Sequence, residues 1–172
     1  MNPSRSQCLK WMDEFKLTPK IKRHCIKVSK VATFIAKEFS KKIDVELVER
    51  AALLHDLDKI ATLKDMKNHG RLTYDFLSAK GFRKLGKVAD NAGLIKINKG
   101  LKTWEEKIVG YADKRVLEIK VVLLEERLAY MAKRYGTDKT KEGRKAMQNY
   151  RKLEKALFSH LSFKPEELKD QK

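Results

Sequence analysis

Hydrophobic residues recur at spacings of three and four along most of the chain, which is the pattern of helices that bury one face. In the segment from Pro19 to Phe39, apolar residues lie on one stripe at Val28, Val31 and Ile35, and a step of four residues back from Val28 reaches His24. Thr18 followed by Pro19 supplies an N-cap and a first helical turn. The pattern therefore predicts a long helix whose buried face includes His24.

The same spacing predicts helices along the rest of the chain. They cover Ser4–Phe15, a segment that begins after N-cap Asp44 and ends near Ile60, a segment from His69 closed by Gly81, a segment from Thr103 through Val116, a segment from Val121 to Tyr135 stopped by Gly136, and Asp138–Leu161. The glycine-containing stretch Phe82–Lys102 predicts a short helix and a loop. We interpret the last two helices as scaffold, with Met131 and Tyr135 in the core.

These segments predict an all-α protein, a single-domain bundle of about six to eight helices spanning residues 1–172. A core of about residues 19–117 carries the candidate site, and the C-terminal helices of about residues 118–172 pack on it. With 172 residues the chain is long enough to bury a core without disulfides. The two cysteines, Cys8 and Cys25, lie in helical patterns, which favours a reduced, cytoplasmic protein. No apolar run approaches the roughly 18 residues of a membrane span, and we expect no membrane partner.

The formal net charge is +17, from 40 Lys and Arg against 23 Asp and Glu. Basic residues concentrate in three windows: 16–42 has nine basic and one acidic residue, 80–102 has seven and one, and 137–155 has seven and three. Such a surface attracts phosphates and predicts weak, non-specific binding of nucleic acid in low salt. A solvated lysine-rich surface is the alternative, because aromatic residues interleaved with basic ones, as in base-stacking surfaces, are not evident.

Polar residues interrupt the apolar pattern in the stretch Ala51–Ile60, A-A-L-L-H-D-L-D-K-I. An imidazole and a carboxylate at adjacent buried positions, His55 and Asp56, are costly unless something binds them. Imidazole nitrogen and carboxylate oxygen together suit a borderline divalent cation. Successive helical residues are about 100° apart, so both side chains face one point only near a helix end. An ordinary polar helix end is the alternative interpretation of this pair. For Asp58 an exposed helix end is the favoured interpretation, and a general acid or base is the alternative.

A carboxylate also falls on the buried stripe of a later helix. Asp113 lies four residues after Val109 and three before Val116, where burial is expensive unless the group is paired or bound to metal. The inward-facing candidates are then His24, His55, Asp56 and Asp113. Each taken alone also fits a structural role, as a hydrogen-bonded core residue or a helix end.

Together these residues resemble the pattern of the HD superfamily of metal-dependent phosphohydrolases. The resemblance covers about residues 20–116 and reads R-H-C-I-K-V-S-K-V-A around His24, A-L-L-H-D-L-D-K around His55 and Asp56, and V-G-Y-A-D-K-R-V around Asp113. The histidines are 31 residues apart and the aspartates 57 residues apart. This combination is far more specific than any single piece of it.

The resemblance implies an all-helical bundle of the HD-domain type in which His24, His55, Asp56 and Asp113 hold one divalent metal ion: Mn, Fe, Co, Ni, Zn or Mg. In such enzymes the cation activates a water molecule that attacks phosphorus, so Asp56 is also a catalytic candidate. Lys59 lies one helical turn after His55 and is the first choice for stabilising the phosphoryl charge, both as a catalytic and as a phosphate-binding residue. The other phosphate-binding candidates are His69, Lys114 and Arg115, and the alternative is a surface position for each. For His69, a place in the outer shell of the metal site is a further alternative.

Two departures from the family's subgroups limit the substrate class. Members similar to the 5'-deoxynucleotidases carry a glutamate three residues after the His-Asp pair, where this chain has Lys59. Members with two metals usually add two more histidines before the final aspartate, but here His69 is followed by V-A-D-N-A-G at Val88–Gly93, where a second would be expected. The interpretation is a mononuclear phosphohydrolase of a small phosphomonoester or phosphodiester, with a nucleotide as the favoured substrate. The alternative is a non-catalytic HD-fold protein that binds a nucleotide or RNA, its metal being structural.

Overall fold

The computed structural model describes residues 2–63, 68–90 and 93–170. Within these ranges it confirms the all-α prediction, with eight α-helices and one two-residue-per-strand hairpin. The helices are α1 (Arg5–Glu14), α2 (Pro19–Glu38), α3 (Val45–Leu54), α4 (Arg71–Ala79), α5 (Arg83–Ala89), α6 (Trp104–Asp113), α7 (Leu124–Tyr135) and α8 (Lys141–Phe158). Strands β1 (Val116–Leu117) and β2 (Lys120–Val121) pair antiparallel, and 3-10 helices cover Leu94–Lys99, Thr137–Lys139 and Pro165–Asp170.

Side-chain caps fix where the central helices begin. The hydroxyl of Thr18 accepts from the backbone N–H of Ile21 at the start of α2, and a carboxylate oxygen of Asp44 accepts from Leu47 at the start of α3. Thr103 caps α6 in the same way. Each cap satisfies a backbone donor that the helix itself leaves unpaired, so the predicted starts of these three helices are confirmed.

The centre of the fold is α2, which packs against both α3 and α6. Val28, Ala32 and Ile35 of α2 are fully buried there, as are Ala51 and Ala52 of α3. The small side chains on α3 let the two helices approach closely. Because α2, α3 and α6 meet in one layer, polar residues on their facing sides are brought to a common point.

The remaining helices cover this layer. The helical hairpin of α4 and α5 packs on α3 through α5, and α8 packs against α6 and the 3-10 helix at Leu94–Lys99. Trp11 of α1 meets the ring of Phe76 of α4 edge-on, with centroids 5.3 Å apart. None of the helices in the described residues combines the length and apolar character that crossing a bilayer requires.

Several predicted helix boundaries were wrong. The last helix, predicted as Asp138–Leu161, spans Lys141–Phe158, with Thr137–Lys139 in a separate 3-10 helix. Helix α3 ends at Leu54, and residues 55–63 form turns instead of continuing the helix to Ile60. Helix α6 ends at Asp113, because Val116 and Val121, both expected in helices, pair across the β-hairpin. Its turn holds Glu118 at φ +58°, in the left-handed region, which a helix cannot contain.

Candidate metal centre

His24 projects from the second turn of α2 towards the end of α6. Its Nδ1 lies 3.1 Å from the backbone carbonyl oxygen of Glu118 in the β-hairpin, and its Nε2 lies 3.1 Å from Oδ1 of Asp113. A carbonyl can only accept, so Nδ1 carries the hydrogen and the neutral ring has its lone pair on Nε2. The hairpin that sequence reasoning missed therefore orients this histidine.

His55 is the C-cap of α3, and its side chain is 1% exposed. Its Nδ1 donates to the backbone carbonyl of Ala52 at 2.8 Å. Its buried Nε2 has no hydrogen-bond partner of acceptable geometry among the described residues; the nearest carboxylate oxygens are those of Asp113 at 3.5 Å and Asp56 at 3.8 Å. Leaving a buried polar atom unpaired costs about 1–3 kcal/mol, a cost that a bound cation would remove.

Asp113 is the last residue of α6 and joins the two histidines. Its Oδ1 faces both Nε2 atoms, and its Oδ2 pairs with the ammonium of Lys114. One ligand atom from each of His24, His55 and Asp113 lies within 4.8 Å of the others. Two neutral imidazole nitrogens and a carboxylate are the ligand set of a borderline divalent cation, so the residues present fit the metal that the sequence predicts.

Asp56 lies beside this group without completing it. Its Oδ2 is 3.8 Å from Nε2 of His55, whereas its Oδ1 is 3.0 Å from Nε2 of His69. The structure thus gathers three of the four predicted ligands and places the fourth against one of them. Sequence reasoning missed Cys25, which is buried and lies within 4.8 Å of both His55 and Asp56. Its place on the buried stripe, three residues before Val28, is the signal that pointed to it.

Asp58 is fully buried, so its interpretation as an exposed helix-end residue was wrong. One oxygen accepts from Nδ1 of His69 at 2.8 Å, and the other accepts from the backbone N–H groups of Gly70 at 2.8 Å and Thr73 at 3.2 Å. Burial raises the pKa of Asp58, but these hydrogen bonds outweigh it and hold the pKa below its ordinary value. Asp58 is a charged anchor for the start of α4.

His69 precedes α4 and is 3% exposed, so the surface alternative is wrong for this residue. Its ring bridges two carboxylates, Asp58 through Nδ1 and Asp56 through Nε2. Both nitrogens are therefore committed to the protein, and neither faces a substrate phosphate as the phosphate-binding prediction requires. His69 instead fixes the orientation of Asp56.

Gly70 makes this placement possible. It has φ +86°, and an added Cβ would lie 2.5 Å from Oδ1 of Asp90. The left-handed backbone favours glycine, and the backbone carbonyl oxygen of Asp90, which would lie 3.2 Å from an added Cβ, leaves little room for a side chain. Of the V-A-D-N-A-G stretch in which a second histidine was sought, Asn91 and Ala92 lie outside the described residues.

The three predicted phosphate-binding cations differ in placement. Lys59 is 31% exposed, with its ammonium 3.5 Å from Oδ1 of Asp56. Lys114 is buried against Asp113. Arg115 is fully buried, and its guanidinium donates to the backbone carbonyls of Val122 and Pro165 and to the hydroxyl of Tyr111. Arg115 therefore ties the C-terminal segment to α6, and its predicted role in phosphate binding is not supported.

A pocket of about 200 Å³ opens over His24 and Asp56. Helix α7, predicted to be scaffold, supplies much of its wall. Met131 is buried as predicted, but Tyr135 is 63% exposed and lines the pocket. The other lining residues are Lys20, Ile21, Lys59, Leu117, Glu118, Arg127, Tyr130 and Arg134.

Comparison with known proteins agrees with the resemblance seen in the sequence. The sequence model of the HD domain matches residues 21–148, a range that contains every candidate ligand. This chain belongs to the HD domain family. Proteins with HD domains are generally metal-dependent hydrolases that bind divalent metals. An uncharacterized protein of Methanocaldococcus jannaschii is 34% identical over 130 residues, which cover 66% of this chain and 76% of that protein. No solved structure gives a significant match.

The electrostatics of this HD domain keep the carboxylates charged. Burial raises the pKa of Asp113, but the Lys114 ammonium and the nearby imidazole rings of His24 and His55 outweigh burial and hold the pKa well below its ordinary value. Burial lowers the pKa of His55, and the Asp56 carboxylate outweighs burial and raises it well above the ordinary value. A divalent cation competes with that proton for Nε2, so metal binding should release protons.

Proposed function

We propose that this HD domain is a phosphohydrolase that uses one divalent metal ion to cleave a phosphomonoester or phosphodiester, with a nucleotide as substrate. The observation that supports this most is that the ligand cluster, formed by His24, His55 and Asp113, borders a basic pocket. A structural metal is closed off by protein ligands, whereas a catalytic metal keeps an open position for water or substrate. His24 of the ligand cluster and the adjacent Asp56 both line the pocket.

The charge of the pocket suits a phosphate ester. Four cations line it, from Lys20, Lys59, Arg127 and Arg134. In a pocket with low-dielectric walls, this excess of positive charge attracts an anionic substrate. The same positive charge stabilises the negative charge that grows on the phosphoryl oxygens during hydrolysis.

Backbone contacts within the protein orient the ligand residues. Backbone carbonyls hold the two histidine rings with Nε2 towards Asp113, through Glu118 for His24 and Ala52 for His55. Such outer hydrogen bonds fix the tautomer and direction of a metal-binding histidine. A divalent cation held by these residues would supply an activated water and positive charge that stabilises the phosphoryl oxygens.

Two further side chains have roles in this proposal. Asp56 holds its charge next to His55, where it contributes to cation binding. Lys59 has a flexible stem and an ammonium 3.5 Å from Oδ1 of Asp56. A small rotation of that stem brings the ammonium to a phosphoryl oxygen without competition for the cation.

The test is a hydrolysis screen of phosphomonoesters, nucleotides and dinucleotides with several divalent metals. Asp113→Asn removes the ligand charge, and Asp75→Asn on α4 is the matched control, because the Asp75 side chain is 50% exposed. We expect hydrolysis that chelation and Asp113→Asn abolish and that Asp75→Asn leaves intact. A metal-loaded protein that binds nucleotides or RNA but cleaves none of the esters would contradict the proposal and support the non-catalytic alternative.

A further inference from the structure

One face of α7 presents a row of arginine and tyrosine side chains to the pocket, which we call the α7 wall: Arg127, Tyr130, Arg134 and Tyr135. The guanidinium of Arg127 lies 5.5 Å from the centre of the Tyr130 ring. That of Arg134 lies 5.9 Å from the Tyr130 ring and 5.6 Å from the Tyr135 ring. Planar, polarisable groups therefore follow one another along the wall.

The wall contains an unusually placed ring. Tyr135 is 63% exposed, and among the described residues every other Phe, Tyr and Trp is buried or half-buried. Elsewhere the aromatic rings of this protein are buried or half-buried, which is where their apolar area stabilises the fold. Because this exposed ring lies beside the predicted metal centre, a role in ligand binding explains its position better than a role in core packing.

The arginines of the wall are not neutralised by the protein. Neither Arg127 nor Arg134 forms a salt bridge within the described residues, and the buried Nε of Arg127 has no hydrogen-bond partner there. In contrast, Arg151 on α8 forms a two-pronged pair with Glu125. The wall thus offers positive charge and flat surfaces to a ligand.

The size of the pocket limits how much of a ligand it encloses. At about 200 Å³ it is smaller than the roughly 300–1,000 Å³ of sites that bury whole small molecules. This volume suits a phosphoryl group and part of a sugar, so the remainder of a nucleotide would lie over the outer part of the wall. Tyr135 is the last residue of α7 and marks that outer part.

We propose that the α7 wall binds the base of a nucleoside phosphate by stacking on Tyr135 and Arg134. This proposal rests on the proposed function, because it places the phosphate at the metal centre beside Lys59 and Arg127. No Asn, Gln, Ser or Thr side chain lines the pocket within the described residues, and these are the side chains that most often read base edges. Stacking accepts any base, so the site requires a base but discriminates weakly between bases.

The experiment measures binding without turnover, by calorimetry on the full chain loaded with Mn²⁺. The probes are the non-hydrolysable methylene phosphonate analogues of AMP, UMP and ribose 5-phosphate. We expect the AMP and UMP analogues to bind on the order of tenfold more tightly than the sugar analogue, since stacking of one base is worth about that much. Tyr135→Ala should remove this preference, and Tyr135→Phe should keep it.

The sugar analogue is the internal control, because Tyr135→Ala should leave its affinity unchanged. Equal affinities for AMP and ribose 5-phosphate analogues in the wild type, or the wild-type preference for bases retained in Tyr135→Ala, would overturn the proposal. Either result leaves the hydrolysis screen unaffected, so failure of base stacking is distinguishable from failure of the phosphohydrolase proposal. Circular dichroism of the Tyr135→Ala and Tyr135→Phe variants checks that the fold is intact.

Discussion

Two buried groups of histidines and carboxylates lie side by side in this protein, and they differ in completeness. The ligand cluster, His24, His55 and Asp113, leaves the Nε2 atom of His55 without an acceptable partner in the described residues. The support cluster, Asp58 and His69, satisfies both ring nitrogens and both carboxylate oxygens. The residue types are similar, but only the ligand cluster needs something from outside the protein.

Asp56 connects the two clusters. One of its oxygens faces His55 and the other is bound by His69. The support cluster therefore acts on the metal centre through the position of this carboxylate. The difference teaches that buried polar groups separate into ligands and scaffold according to whether their hydrogen bonds are already satisfied.

The largest effect is expected from the ligand cluster itself. His24→Ala should lower turnover by about 10³-fold or more, because the cation supplies several kcal/mol of transition-state stabilisation. It should also abolish the rise in melting temperature that divalent metal gives the wild type, since a ligand stabilises only the state that binds it. His160→Ala, a histidine outside the site, is the matched control. Equal metal-dependent stabilisation in both variants would contradict this account.

Lys59 lies next to Asp56, where the two clusters meet. Its substitution tests whether its ammonium contributes to turnover. Lys59→Met should lower turnover by roughly 10²- to 10³-fold with the metal still bound, if the ammonium stabilises charge that grows in the transition state. Steady-state kinetics and metal analysis measure this, and Lys84→Met, at a side chain 71% exposed, is the control. A change confined to KM would show uniform phosphate binding, and wild-type kinetics would place Lys59 on the surface.

The support cluster should matter for both stability and rate. Asp58→Asn replaces charge-assisted hydrogen bonds to His69 and to two backbone N–H groups, so we expect the free energy of unfolding to fall by about 1.5–3 kcal/mol. Loss of the outer support of Asp56 should lower activity by roughly 10- to 100-fold. Denaturant unfolding and kinetics on the same preparation check both. Unchanged stability would show that the cluster is not an anchor.

The smallest effect is expected from substitution of Gly70, whose backbone conformation positions His69. Gly70 and Gly81 both have φ +86°. A Cβ added at Gly70 would come close to Asp90, whereas a Cβ added at Gly81 would have no neighbour within 4 Å. Gly81→Ala should therefore cost only backbone strain, about 1 kcal/mol. Gly70→Ala should cost more, and only this variant should also lower activity. Equal losses in denaturant unfolding would show that the close approach is unimportant.

Periodicity predicted the parts of this structure in which helices face one another. His24 and Asp113 each share a helix face with apolar residues, so the pattern alone predicted that both side chains face the core. The caps Thr18, Asp44 and Thr103 were recognisable because a side-chain oxygen at a helix start has one main use. The resemblance then linked these pieces into one site.

Features set by contacts distant in sequence were not predictable in this way. Asp58 is buried because His69 and the start of α4 pack against it. These residues are more than ten positions away in the sequence, so no local pattern predicts the contact. The β-hairpin between α6 and α7 is too short to show alternation, so its valines continued the helical pattern. Tyr135 continues the apolar stripe of α7, but periodicity gives the face of a helix and not whether that face is covered at its end.

The central claim is that the ligand cluster holds one divalent cation. The most direct measurement is anomalous diffraction from crystals of the full chain soaked in Mn²⁺. We predict a single strong peak about 2.0–2.3 Å from Nε2 of His24, Nε2 of His55 and a carboxylate oxygen of Asp113. A fully occupied peak elsewhere, with these three side chains still in contact with one another and metal-free, would contradict the account.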